Sequence, residues 1–148
     1  MKKFLFLLVS CILCSIGFAQ VNVIETELQE VMDQKGDEMI SVNIILKSQV
    51  NFDELQSRAK NINDKETRRN VLVNELKIFA EKEQQDILSI LNAEQRGNKV
   101  EDISCHWLGN YINCKTTRDV IYQLSSHPDV YLIGYNEEKV LVRFVTSL

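Results

Sequence analysis

GNKVEDISCHWLGNYINCKTTRDVIYQLSSHPDVYLIGYNEEK, residues 97–139, decides the fold. Two short apolar runs, Val100–Leu108 and Tyr111–Lys115, flank Gly109-Asn110. A Gly-Asn pair between such runs predicts a tight hairpin, because both residues accept positive φ. Thr117 or Thr116 then offers a helix N-cap, with Asp119 in the first turn where the helix dipole favours an anion. Val120, Ile121 and Leu124 form one apolar helical face. Pro128 ends that helix and Val130–Ile133 reads as a final strand. The block is therefore hairpin, short helix, strand.

Upstream, the chain supplies the other half. Ile40, Val42, Ile44 and Leu46 alternate with Met39, Ser41, Asn43 and Ile45, the pattern of a strand with one apolar and one mixed face. Asn51 and Glu54 form a capping box before a short helix ending near Asn61. Asn63 and Glu66 repeat the box before a long helix, Glu66–Arg96. Leu72, Leu76, Phe79, Ala80, Ile87, Ile90 and Leu91 form its stripe, broken by Glu83, and neither Pro nor Gly interrupts it. The order is β-α-β-β-α-β, the ferredoxin-like split arrangement: α+β, a four-stranded antiparallel sheet with helices on one face, one of them unusually long. Ile24, Leu28, Val31 and Met32 before Gly36 predict a short amphipathic helix over Gln20–Lys35, a lead-in whose deletion is expected to be tolerated better than deletion of anything downstream.

The order N-Y-I-x-C (Asn110–Cys114), a short helix with V-I-x-x-L (Val120–Leu124), then H-P-D-V-x-x-I (His127–Ile133) resembles the second half of the propeptide of secreted bacterial subtilisin-like serine peptidases. The resemblance spans Glu38 to Glu138. It implies the same ferredoxin-like topology and an inhibitor and intramolecular chaperone role. In that family the open sheet face packs on two surface helices of the peptidase, and the stretch after the last strand lies in the active-site cleft. Acidic residues at the end of the last strand cap those helices in several members. The matching positions here are Gly134 and Asn136, with Glu137 and Glu138 beyond.

Met1-Lys2-Lys3, the apolar run Phe4–Leu13 and the small residues Gly17 and Ala19 read as a signal peptide cleaved between Ala19 and Gln20, which directs the chain to a secreted or periplasmic location. The apolar run is shorter than the roughly 20 residues of a membrane span, so no stable membrane anchor is expected. Leu8-Val9-Ser10-Cys11 also resembles a lipoprotein box, a less favoured reading because so little apolar chain precedes it. The domain organisation is then 1–19 leader, 20–38 helical lead-in, 39–139 ferredoxin-like domain and 140–148 tail. The net charge of −4 becomes more negative once Lys2 and Lys3 leave. An acidic chain without a basic stripe argues against nucleic acid as a partner.

Catalysis of hydrolysis needs an Asp, a His and a Ser brought together. The segments that mark them in subtilisin-like enzymes are absent: neither His106 nor His127 precedes Gly, and no Ser is flanked by Gly. The chain is expected not to be an enzyme and to need no cofactor. Cys105, His106 and Cys114 are close in sequence, but adjacent strand residues point to opposite faces and zinc needs three or four ligands, so no metal is expected. With a two-residue turn at Gly109-Asn110, Cys105 lies opposite Cys114. Two readings stay open, a disulfide or two buried free thiols. Trp107 reads as core packing on the side of Ile103, Cys105 and Ile112, against the alternative of a ligand platform.

The opposite face collects His106, Leu108, Tyr111 and Asn113 from the hairpin, Asn43, Ile45 and Ser41 from the first strand, and some of Tyr131, Ile133 and Tyr135 from the last. A face mixing large apolar and polar groups without cover is an expected protein-docking surface. The resemblance makes its partner a subtilisin-like serine peptidase, in cis or in trans; the alternative is a free-standing exported module that binds another protein or ligand. In the tail, Leu141, Val142, Arg143, Phe144 and Val145 form a β-prone segment suited to cleft binding by strand addition, or to continuing the sheet.

Overall fold

A computed structural model of the chain describes residues 22–137. In order they form α1 (Thr26–Lys35), β1 (Ile40–Leu46), α2 (Phe52–Ala59), α3 (Lys65–Gln95), β2 (Val100–His106), β3 (Tyr111–Thr116), α4 (Arg118–Ser125) and β4 (Val130–Tyr135). The sheet order is β2-β3-β1-β4 with every neighbouring pair antiparallel. This is the ferredoxin-like α+β arrangement, with α1 added in front.

Alternation in β1 orients the sheet. Ile40, Val42, Ile44 and Leu46 are buried while Ser41, Asn43 and Ile45 are half-exposed. The buried set joins one cluster with Leu28 and Met32 of α1, Ile87 and Leu91 of α3, and Val120, Ile121 and Leu124 of α4. These helices therefore cover one face of the sheet, and α2 rests on α3 through buried Leu55, Ala59 and Leu76. Apolar side chains removed from water on that face hold the layers together.

Local signals act as expected at several ends. Asn51 caps α2 by accepting from the N–H groups of Asp53 and Glu54 at 3.2 and 3.3 Å. Gly36 ends α1 at φ 63, donating to the Met32 carbonyl. The cap of α3 is Asp64 rather than Asn63: its carboxylate accepts from the Thr67 N–H at 2.7 Å, and hydrogen bonding from the Thr67 side chain, then from its backbone N–H, lowers the Asp64 pKa. An ionised oxygen outcompetes the neighbouring amide for helix N–H groups. Thr117 takes the extended cap backbone of α4 without a side-chain cap bond.

Three expectations are corrected. The hairpin closes at His106 opposite Tyr111, so its turn is the four residues Trp107–Asn110. Asn110 adopts positive φ (42°) but Gly109 does not, and a two-residue I′ turn needs both. Ile112, not Cys114, therefore lies opposite Cys105. The two cysteines are free, Cys105 exposed and Cys114 buried, so neither the disulfide nor the pair of buried thiols holds. The lead-in helix also begins later than expected, at Thr26. Ile24 makes a parallel bridge to Ile133, the Glu25 N–H donates to the Ile133 carbonyl at 3.0 Å, and the Ile133 N–H donates to the Val23 carbonyl at 2.7 Å. Ile24 thus bridges to the edge strand β4 and lies outside the helix that follows.

Candidate docking surface on the open sheet face

The face away from the helical layer is built of cross-strand rows. Strand register places His106, Tyr111, Ile45 and Leu132 side by side across β2, β3, β1 and β4. The next row is Ser104, Asn113, Asn43 and Gly134. The third is Glu101, Lys115 and Ser41, extended by the Asn136 side chain, which donates to the Ser41 hydroxyl at 3.3 Å. The face therefore grades from aromatic and aliphatic at the hairpin end, through amides, to charged and hydroxylated at the other.

His106 and Tyr111 are cross-strand partners, and their rings stack with centroids 4.4 Å apart and planes 5° from parallel. Stacking holds the two rings against each other. Asn113 Oδ1 is buried without a hydrogen-bond partner. A bulge lies between Glu101 and Ser104, where Asp102 takes φ 52 and its carboxylate reaches Lys115 at 3.5 Å. The expected residues His106, Tyr111, Asn113, Asn43 and Ile45 are brought together here. Leu108 is in the turn instead of a strand, 63% exposed at the hairpin tip.

From β4 the face receives Leu132 and Gly134, not the residues expected. Ile133 pairs with the core-facing Ile44 and is fully buried, and the register shift between Ile45 and Leu46 passes over Tyr131, which is exposed. Tyr135 packs against the core cluster. Glu25 is a residue that sequence reasoning missed. Its carboxylate accepts from the Tyr135 N–H at 3.2 Å and lies over Gly134, where an added Cβ would be 2.8 Å from it. A side chain at position 134 would therefore displace the Glu25 carboxylate from its place over the strand. Its signal in the sequence is slight, since Glu25 reads only as the residue before a helix.

Trp107 sits half-buried in the turn with the Lys77 ammonium 5.8 Å from its ring centre, a cation–π contact in place of the expected core packing. Burial pushes the Cys114 thiol up to about 12 and raises that of Cys105 as well. Both are thus poor nucleophiles at neutral pH. Among the described residues no group of three or more His, Cys, Asp or Glu side chains is placed to hold a metal ion. The cleavage site Ala19-Gln20, the lipoprotein-like Cys11, and the tail residues Leu141, Val142, Arg143, Phe144 and Val145 lie outside the described residues. Comparison of the chain with protein-family models, with curated proteins and with solved structures gave no match.

Proposed function

We propose that this chain is an exported, propeptide-like domain that binds, inhibits and assists the folding of a subtilisin-like serine peptidase. The observation that carries the reading is the sheet face just described. A stacked His106–Tyr111 pair, Ile45 and Leu132 lie in one row, beside an amide row able to donate and accept hydrogen bonds across an interface. Interfaces combine these two ingredients, a desolvated aromatic core and a polar surround. The ferredoxin-like topology fits the resemblance. So does the Glu25 carboxylate over Gly134: it puts an acid near the position where the resembling propeptides carry one to cap the peptidase helices, although the chain has Gly at that position.

Docking of this face stabilises the peptidase by binding its folded state in preference to the unfolded one. The tail, Val140–Leu148, then enters the cleft as an added strand and blocks it in a product-like way. No residue of this chain performs chemistry in this scheme.

Titrating the purified protein against a panel of subtilisin-like enzymes tests the reading. Inhibition of at least one is expected, together with faster recovery of that enzyme from denaturant. Tyr111→Glu places a charge in the packed row and is expected to weaken inhibition by about tenfold or more, since an unpaired charge in an interface keeps its desolvation cost. Inhibition unchanged by Tyr111→Glu rules out docking through this face.

A further inference from the structure

We infer that the hairpin tip, Trp107–Asn110, is a pre-set docking knob, with Leu108 as its anchor and Gln84 and Asn110 as the residues that position it. The inference rests on the docking reading above and adds the element that fixes partner choice.

The buried stripe of α3 runs Leu76, Ala80, Gln84, Ile87, Leu91. An amide interrupts it at Gln84, only 2% exposed. Its Nε2 donates to Asn110 Oδ1 at 3.1 Å and to the His106 carbonyl at 3.3 Å. Asn110 is equally buried. Its Nδ2 donates to the Ser48 carbonyl at 2.7 Å, and its own carbonyl accepts from the Leu46 N–H at 3.3 Å. Both ends of the four-residue turn are therefore tied to α3 and to the exit of β1. The backbone at Asn110 sits at φ 42, a conformation that Asn tolerates and that this network holds.

An apolar residue at position 84 would serve the core as well. The amide is needed only to fix the turn, because a buried Asn110 without it would be left unsatisfied. What the fixed turn presents is Leu108, the most exposed large apolar side chain among the described residues. Beside it, Cys105, His106, Trp107 and Tyr111 rim a recess of about 430 Å³. An apolar knob next to a recess, both held rigid, loses little freedom on binding. The recess is lined by apolar and aromatic groups without an acidic side chain, and the Lys77 ammonium lies 5.8 Å from the Trp107 ring centre beside it, so the complementary site on the peptidase is an apolar pocket without basic groups whose lip enters the recess.

Four proteins separate the outcomes: wild type, Leu108→Asp, Gln84→Met and Gln84→Met/Asn110→Gly. Inhibition constants, thermal midpoints and the fluorescence anisotropy of Trp107, the single tryptophan, are measured for each. Leu108→Asp is expected to keep its midpoint and lose inhibition by about tenfold or more, as anchor residues do. Gln84→Met is expected to lower the midpoint and free Trp107. Removing both amides is expected to recover part of the midpoint, since the buried Asn110 amide is no longer orphaned and Gly accepts positive φ, while the Ser48 and His106 carbonyls still lose their donors. In the double variant Trp107 stays mobile and inhibition stays weak. If inhibition returns with the midpoint, the network serves stability alone and the inference is wrong. Leu108→Asp inhibiting as well as wild type also overturns it. A wild-type protein that inhibits no subtilisin-like enzyme instead removes the docking reading itself, and this inference with it.

Discussion

Deleting residues 20–36 tests whether the amino-terminal segment is part of the core. Leu28 and Met32 are fully buried and Ile24 is 6% exposed. Truncating a buried Leu, Ile or Met to Ala costs about 2–5 kcal/mol. Loss of all three therefore removes about 6–15 kcal/mol, which matches the entire stability of an ordinary domain, about 5–15 kcal/mol. The deletion also strips the partners of Ile133 at the sheet edge and the ion pair of Asp33 with Arg118 at 2.6 Å. The expected outcome is a chain without a cooperative unfolding transition by far-UV circular dichroism. Leu28→Ala alone is expected to fold with its midpoint lowered by roughly 10 °C, taking about 3–4 °C per kcal/mol at this size. A deletion variant that melts cooperatively near the wild-type temperature would refute the burial argument.

Further outcomes can be checked with small experiments. In the chain lacking residues 1–19, a thiol reagent at neutral pH is expected to modify Cys105 slowly and Cys114 only after denaturant is added, because burial pushes the Cys114 thiol up to about 12; a protein with no reactive thiol even when unfolded would mean a disulfide. Truncation after Glu138 is expected to abolish peptidase inhibition while leaving the melting curve in place, and a truncated protein that unfolds would make the tail structural. The Asp64 carboxylate has a lowered pKa from its bond to Thr67, so its cap is complete above the ordinary carboxylate range and is lost as pH falls through the lowered value. The Thr67 amide resonance is expected to report that titration in the wild type and not in Asp64→Asn.

Much of the fold could be read from periodicity. The alternation in β1 separates Ile40, Val42, Ile44 and Leu46 from Ser41, Asn43 and Ile45 as observed, and the absence of Pro and Gly carries α3 through 31 residues. The hairpin register was misread by two residues. Because side chains alternate with a period of two, such a slip changes partners without changing faces. His106, Tyr111 and Asn113 therefore remain on the open face, while the Cys105–Cys114 pairing disappears. The turn was misread because Gly109-Asn110 suits a two-residue hairpin locally, whereas Asn110 is claimed by Gln84 from another element. Only the tertiary structure reveals that bond. Which alternate set of β4 faces outward is fixed by its pairing with β1, Ile133 opposite the core-facing Ile44, and because apolar and aromatic residues occur on both sets the strand's own sequence does not decide it. Ile24 fits the helical spacing of Leu28, Val31 and Met32, and that coincidence conceals its bridge to Ile133 of β4.

The bridge between Ile24 and Ile133 joins the two ends of the described chain. Any process that delivers the polypeptide amino terminus first, from a ribosome or through a pore, releases Val23–Glu25 long before its partner strand exists. Until Ile133 has emerged, Leu28 and Met32 have an incomplete wall to pack against, and closure over so long a span is slow. The Ile24 bridge and the β1–β4 pairing are thus the contacts that wait for the last strand, whereas the β2–β3 and β3–β1 pairings do not depend on it.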